Sequence, residues 1–138
     1  MRQISFVLPA PYPLLNRSLR AHWSVRKRQQ AAIRGAILEQ IGGAAGLPPE
    51  PFQKARVVIE RHSVGTPDYD NLVGGGKQLI DCLTTPVMGK GGRQRNRRGL
   101  GIIVDDSPAH MTAEYHAVKC RLCEQKTVVT ITELEVLP

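Results

Sequence analysis

Asp68 and Asp70, two residues apart in PDYDNL, are the side chains of this sequence best placed by type and spacing to do chemistry. In an extended segment they project to the same side, with Tyr69 pointing away, because side chains alternate along a strand. Two carboxylates facing one point repel each other, so the pair calls for a cation, a proton or a basic neighbour. Hard divalent ions such as Mg²⁺ or Mn²⁺ take oxygen ligands of this kind, with water and substrate phosphate completing the shell. The plainer reading is a solvated turn in which Asn71 caps a helix. A second acidic pair, Asp105 and Asp106, follows the apolar residues 102–104 in GLGIIVDDSPAH. That run reads as a short buried strand able to deliver a carboxylate to the same sheet edge, or as the lead into a Ser-Pro turn. Acids converging from two strands suit a nuclease, where a metal positions the scissile phosphate and generates hydroxide from bound water.

Between the acid pairs lies VGGGKQLIDCL, with Gly74, Gly75 and Gly76 before Lys77. Each glycine opposes helix formation by about 1 kcal/mol relative to alanine, so something must compensate. Close approach of a DNA backbone to the helix start would do so. Tight packing of another segment, from this chain or a partner subunit, is the second reading. A loop that turns helical only near Lys77 is the third, although Leu72, Gly76, Leu79 and Leu83 continue one helical face. A phosphate-binding P-loop is excluded, because Asn71 stands where it needs glycine and Gln78 where it needs Ser or Thr. Lys77 could neutralise charge building on a phosphate, or pair with Asp81 one turn later.

The elements that must position these residues alternate between strand and helix. QISFVL reads as a strand ended by Pro9, Pro11 and Pro13. Ser24 is a candidate N-cap for a helix over about 25–40, where Ile33, Ala36, Ile37 and Ile41 recur at helical spacing and Gly42-Gly43 supplies the stop. ARVVIERHSV, HMTAEYHAVKC and KTVVTITELEV read as strands, the last with Val128, Thr130, Thr132, Leu134 and Val136 in alternation. The expectation is one α/β (α+β) domain over 1–138, with a mixed sheet of about four to five strands and two main helices.

Charge narrows the partners. The 138 residues carry a net charge of +7 with a pI near 9.8, which favours a polyanion, nucleic acid before an anionic membrane. Arg17, Arg20, Arg26, Lys27, Arg28 and Arg34 crowd the first forty residues against only Glu39. Lys90, Arg93, Arg95, Arg97 and Arg98 form an acid-free cluster in the glycine-rich segment 87–101, expected to be a mobile arm that orders on nucleic acid. No apolar run approaches the roughly 20 residues of a bilayer span, and ISFVLPAP is too short for a signal peptide. Three cysteines without a leader point to a reduced, cytoplasmic setting. Cys120 and Cys123 make half a zinc knuckle with no second half, and read as structural cysteines. His62 follows a strand and lies within reach of the acids or in a partly buried polar niche; His22, His110 and His116 show no spacing that demands a metal.

The segments LPAPYPLLN, DYDNL, KQLIDCL and VDDS, in that order over nearly the whole chain, resemble the RusA-type Holliday-junction resolvases. The resemblance implies a RusA-like fold and a homodimeric, Mg²⁺-dependent endonuclease, in bacteria or phage-infected cells. It would cut branched DNA to 5′-phosphate ends in recombination and repair. Asp68, Asp70 and Asp106 would then be the metal-binding catalytic acids, with Asp105 beside them, and Lys77 the active-site lysine. Two features depart from the family pattern. The lysine usually follows the second aspartate by four residues and here follows by seven, a shift of about 4.5 Å and 300° along a regular helix. The basic loop is also longer. The rival expectation is a non-catalytic basic nucleic-acid-binding regulator, in which the acids are turns and the arginines carry all the affinity.

Overall fold

The fold, a computed structural model describing residues 2–136, starts from alternation in three strands. The elements in chain order are β1 (Gln3–Leu8), α1 (Leu15–Arg20), α2 (Trp23–Gln40), β2 (Ala55–Ser63), α3 (Tyr69–Gly75), α4 (Lys77–Leu83), β3 (Val87–Met88), β4 (Gln94–Arg95), β5 (Met111–Lys119) and β6 (Lys126–Glu133). The main sheet has the order β1-β6-β2-β5; β6 runs antiparallel to β1 and β2, and β5 runs parallel to β2. β3 and β4 form a separate two-stranded hairpin. The chain is therefore a mixed α+β domain, with α2 and the broken helix α3–α4 as its two main helical pieces.

One sheet face is apolar and covered by the helices. Phe6 and Leu8, Ala55, Val57 and Ile59, and Val129 and Ile131 are buried there against Ile37, Leu72, Leu79, Ile80 and Leu83. In β6 the buried set is Thr127, Val129 and Ile131, so the alternating residues Val128, Thr130 and Thr132 belong to the outer face. That outer face also carries the ion pair Arg56–Glu114 and the pair His62–Glu60 at 2.9 Å, so His62 points away from the helices and the acids. The parallel pairing of β2 with β5 requires a long crossover. Here the crossover holds α3, α4, the hairpin and both acidic pairs.

Three sequence expectations are corrected. The N-cap of α2 is His22, whose Nδ1 accepts from the Ser24 amide at 3.2 Å, so Ser24 lies inside the first turn. Residues 102–104 are not a strand: Ile103 makes one isolated bridge to Phe52, and the amides of Ile102 and Ile103 are spent on the end of α4. Asp68 and Asp70 do not share an extended segment, because Asp68 is the extended N-cap of α3 and Asp70 lies in its first turn. The stop of α2 does rest on glycine, with Gly42 and Gly43 at φ +87° and +78°. No helix among the described residues is long and apolar enough to cross a membrane.

Candidate active site

The three glycines are explained by what touches them. A methyl group on Gly75 would lie 2.4 Å from the Pro13 carbonyl oxygen and 2.8 Å from Leu14 Cα, whereas at Gly76 it would meet the Tyr115 ring at 2.7 Å. At Gly74 it would meet the Leu15 side chain at 2.6 Å. Close packing of another segment is thus what the glycines permit, and the segments belong to this same chain. The helix bends at Gly76, which keeps right-handed φ and ψ of −74° and −7° while its amide donates to Val73 at 3.1 Å. The proline-rich loop is itself pinned. The Tyr12 amide donates to Thr127 Oγ1 at 3.0 Å, its hydroxyl donates to the Leu72 carbonyl at 2.6 Å, and Arg61 Nε donates to the Tyr12 carbonyl at 2.7 Å. Burial raises the Tyr12 pKa far enough to keep the phenol neutral as a donor.

Lys77 opens α4, and its ammonium meets Asp106 Oδ2 at 2.7 Å and Asp81 Oδ1 at 2.9 Å. The three carboxylates Asp81, Asp105 and Asp106 line, with Lys77, a cavity of about 780 Å³. Asp106 reaches it because the segment before it is bolted to the core. The amides of Leu100, Ile102 and Ile103 donate to the Cys82 and Leu83 carbonyls at 2.8–3.0 Å, satisfying acceptors that a helix end otherwise leaves open. Phe52 exchanges amide and carbonyl bonds with Ile102 and Val104 at 2.8 and 3.1 Å, and Ile102, Ile103 and Phe52 are fully buried. The Lys77 hydrogen bond holds the Asp106 carboxyl below the usual carboxylate range. Partial burial disfavours the Lys77 cation, but the hydrogen bonds to Asp106 and Asp81 together outweigh it and raise the lysine's pKa.

Asp68 and Asp70 stand apart from this pair. Both are exposed, and Asp68 accepts from the Asn71 amide group at 2.6 Å, while Asn71 Oδ1 accepts from the Asn16 amide at 3.2 Å. Among the described residues neither carboxylate meets a basic side chain. Their free oxygens are chemically apt for a hard divalent cation. No three of His, Cys, Asp and Glu among the described residues stand close enough together to hold one.

No protein-family model matches the chain, and no curated protein matches it in sequence.

The arginines and lysines read as nucleic-acid contacts are distributed around this crossover. Arg17 and Arg20 lie on α1, Arg26, Lys27 and Arg28 on the first turns of α2, and Arg95 on β4; Lys90, Arg93, Arg97 and Arg98 flank it. Among the described residues none of them has a carboxylate partner. Arg34 of α2 lines one hollow with Arg97 and Arg98, so the two basic clusters of the sequence meet in space. The segment 87–101 has local order as a hairpin, with Val87 opposite Arg95, and Asn96 hydrogen-bonds Thr84 Oγ1.

Two neighbours of the site, Tyr115 and His110, were given no role by the sequence reading. Tyr115, on the inner face of β5, is half-buried against Gly76 and senses Lys77, Asp106 and Tyr69; burial raises its pKa. Only β2–β5 register brings it there, and one sequence cannot show that. His110 lines the cavity and is held by Gln53, its Nδ1 lying 2.7 Å from the Gln53 carbonyl. Cys120 and Cys123 are free thiols, Cys123 within and Cys120 just before a short turn of helix at Leu122–Glu124 that precedes β6.

Proposed function

We propose that this protein is a divalent-metal-dependent endonuclease acting on branched DNA, of the RusA type its motif order resembles. The observation that carries the reading is the meeting of Lys77 with Asp106 across 29 residues of sequence, in a cavity beside helix α3–α4. The motif order assigns both residues to one site, and nothing in local spacing requires their contact. A solvated turn would not need Asp106 anchored through buried Ile102, Ile103 and Phe52.

Asp68, Asp70 and Asp106, with Asp105 beside them, would hold Mg²⁺ or Mn²⁺. When bound there, such an ion supplies water activation and charge neutralisation at phosphate. Lys77 stays fully protonated at neutral pH and can donate to a phosphate oxygen as negative charge develops on it. The unpartnered arginines and lysines grip the backbone on either side. A symmetric cut across a two-fold junction is made most simply by a two-fold dimer.

The test is a synthetic four-way junction incubated with protein and Mg²⁺, then with EDTA. The expected result is paired nicks bearing 5′-phosphates, lost on chelation. Junction binding without metal-dependent nicking at protein excess would transfer the protein to the binding-only reading.

A further inference from the structure

The chain's single tryptophan, Trp23, is 58% exposed at the first residue of α2. A large aromatic ring gains most from burial, so one left in solvent beside cations invites a planar, anionic ligand. Lys27 Nζ stands 4.9 Å from the centre of the indole ring, and the His22 ring packs at 5.4 Å. Trp23, Arg26 and Lys27 line a hollow of about 260 Å³ with Gln30 and Gln78. Gln30 also lines the cavity of Lys77, Asp81 and Asp106, so the two hollows share a wall. The buried carboxamide oxygen of Gln78, next in sequence to Lys77, has no hydrogen-bond partner.

We propose that Trp23 is a stacking platform for an unpaired nucleobase of the strand that enters the Lys77–Asp106 cavity. The proposal rests on the nucleic-acid part of the reading above and adds a recognition step to it. Aromatic rings interleaved with basic side chains bind single strands because every base has a π-face and every linkage a charge. With Lys27 over one face of the indole, the base stacks on the remaining exposed ring while Arg26 and Lys27 meet its phosphates. In an intact duplex both faces of each base are already stacked. Trp23 thereby favours a strand that is unpaired at a branch point over continuous double helix.

Because Trp23 is the only indole, its fluorescence reports this contact without labelling. In EDTA, where no cleavage occurs, titration with a short oligothymidylate or an open four-way junction is expected to quench the emission. A blunt duplex of equal length is expected to bind without comparable quenching. Trp23→Ala should weaken oligothymidylate binding about tenfold and leave duplex binding within twofold, while Trp23→Phe retains most of the single-strand affinity. Three results would overturn the proposal: equal quenching by duplex, equal weakening of both ligands by Trp23→Ala, or single-strand binding that leaves the emission untouched. A concentration-dependent blue shift without DNA, with no quenching by oligothymidylate, would also overturn it and mark the patch as a protein interface. Since these readouts need no metal, a failure of the nuclease reading alone leaves them interpretable.

Discussion

Asp106 sits on a segment fastened to the core by buried Ile102 and Ile103, with its carboxylate on the Lys77 ammonium at 2.7 Å. Asp68 and Asp70, at the start of α3, stand in solvent and have no ion-pair partner among the described residues. From Asp70 to Lys77 is about two helical turns, or some 10 Å of rise. Lys77 thus pairs with two of the three carboxylates gathered at the start of α4, whereas the two at the start of α3 have no ion-pair partner among the described residues. A phosphate brought near the start of α3 adds a third negative charge, with repulsion of about 1 kcal/mol per pair at 4 Å even in water. Arg17 and Arg20, which line one hollow with Asn71, offset part of that repulsion, and under the proposed function a metal ion on Asp68 and Asp70 offsets the rest.

The comparison can be broken first at its open end. Asp70→Asn should leave junction binding intact, because removing a negative charge cannot weaken attraction to phosphate. Cleavage should fall by roughly three orders of magnitude, measured in single-turnover nicking. Equal loss of binding and cleavage would make Asp70 a structural residue. At the paired end, Lys77→Met leaves Asp106 and Asp81 facing each other without their cation. It should slow nicking about a hundredfold while binding changes little.

The bend between α3 and α4 gives the next effect. Gly75→Ala drives a methyl into the Pro13 carbonyl and should cost about 2 kcal/mol in thermal or urea unfolding. Gly74→Ala meets only the end of the Leu15 side chain and should cost clearly less. Similar values would mean that the backbone contact at Gly75 is not the reason for the glycine.

The smallest effect is on acid stability. Asp106 has a lowered folded pKa, so its pairing stabilises the fold above the unfolded value of about 3.9 and is lost as pH falls through the folded value. Lys77 has a raised one, so its share is full below about 10.4 and lost only as pH rises past the folded value. Between those limits the pair should give a flat contribution, under about 1 kcal/mol because the Lys77 side chain is 62% exposed. Subtracting the Lys77→Met unfolding curve from wild type across pH 2–8 checks the sign: the difference should shrink only at the acid end.

How much of this could be read from sequence follows the range of the interactions. The strands β1, β2, β5 and β6 and the glycine stop of α2 were legible because period-two alternation and helix termination are local signals. The cap of α2 was misplaced by two residues because a histidine nitrogen can do the work expected of a serine hydroxyl. The DYDN run carries both an extended-pair pattern and a helix-start pattern; packing of Leu72 into the core chose the helix. Residues 102–104 are apolar with Ile102 and Ile103 buried, but the amides of those two serve the end of α4 and that of Val104 serves Phe52, contacts between distant segments rather than a sheet. The Lys77–Asp106 contact had no spacing signal, and the order of motifs named both residues without pairing them; the pairing that spacing did offer, Lys77 with Asp81 one turn on, is also present at 2.9 Å. Tyr115 and Trp23 had none of either kind.

The central claim is that the acids at the start of α3 and the Asp106 held at the start of α4 serve one divalent ion. Crystals soaked in Mn²⁺, read by anomalous scattering, test it most directly. The account predicts a single strong peak bound by Asp68, Asp70 and Asp106, with Asp106 drawn off Lys77 toward it. A protein that takes up no Mn²⁺ there, or binds it at Asp68 and Asp70 while Asp106 stays on Lys77, would contradict it.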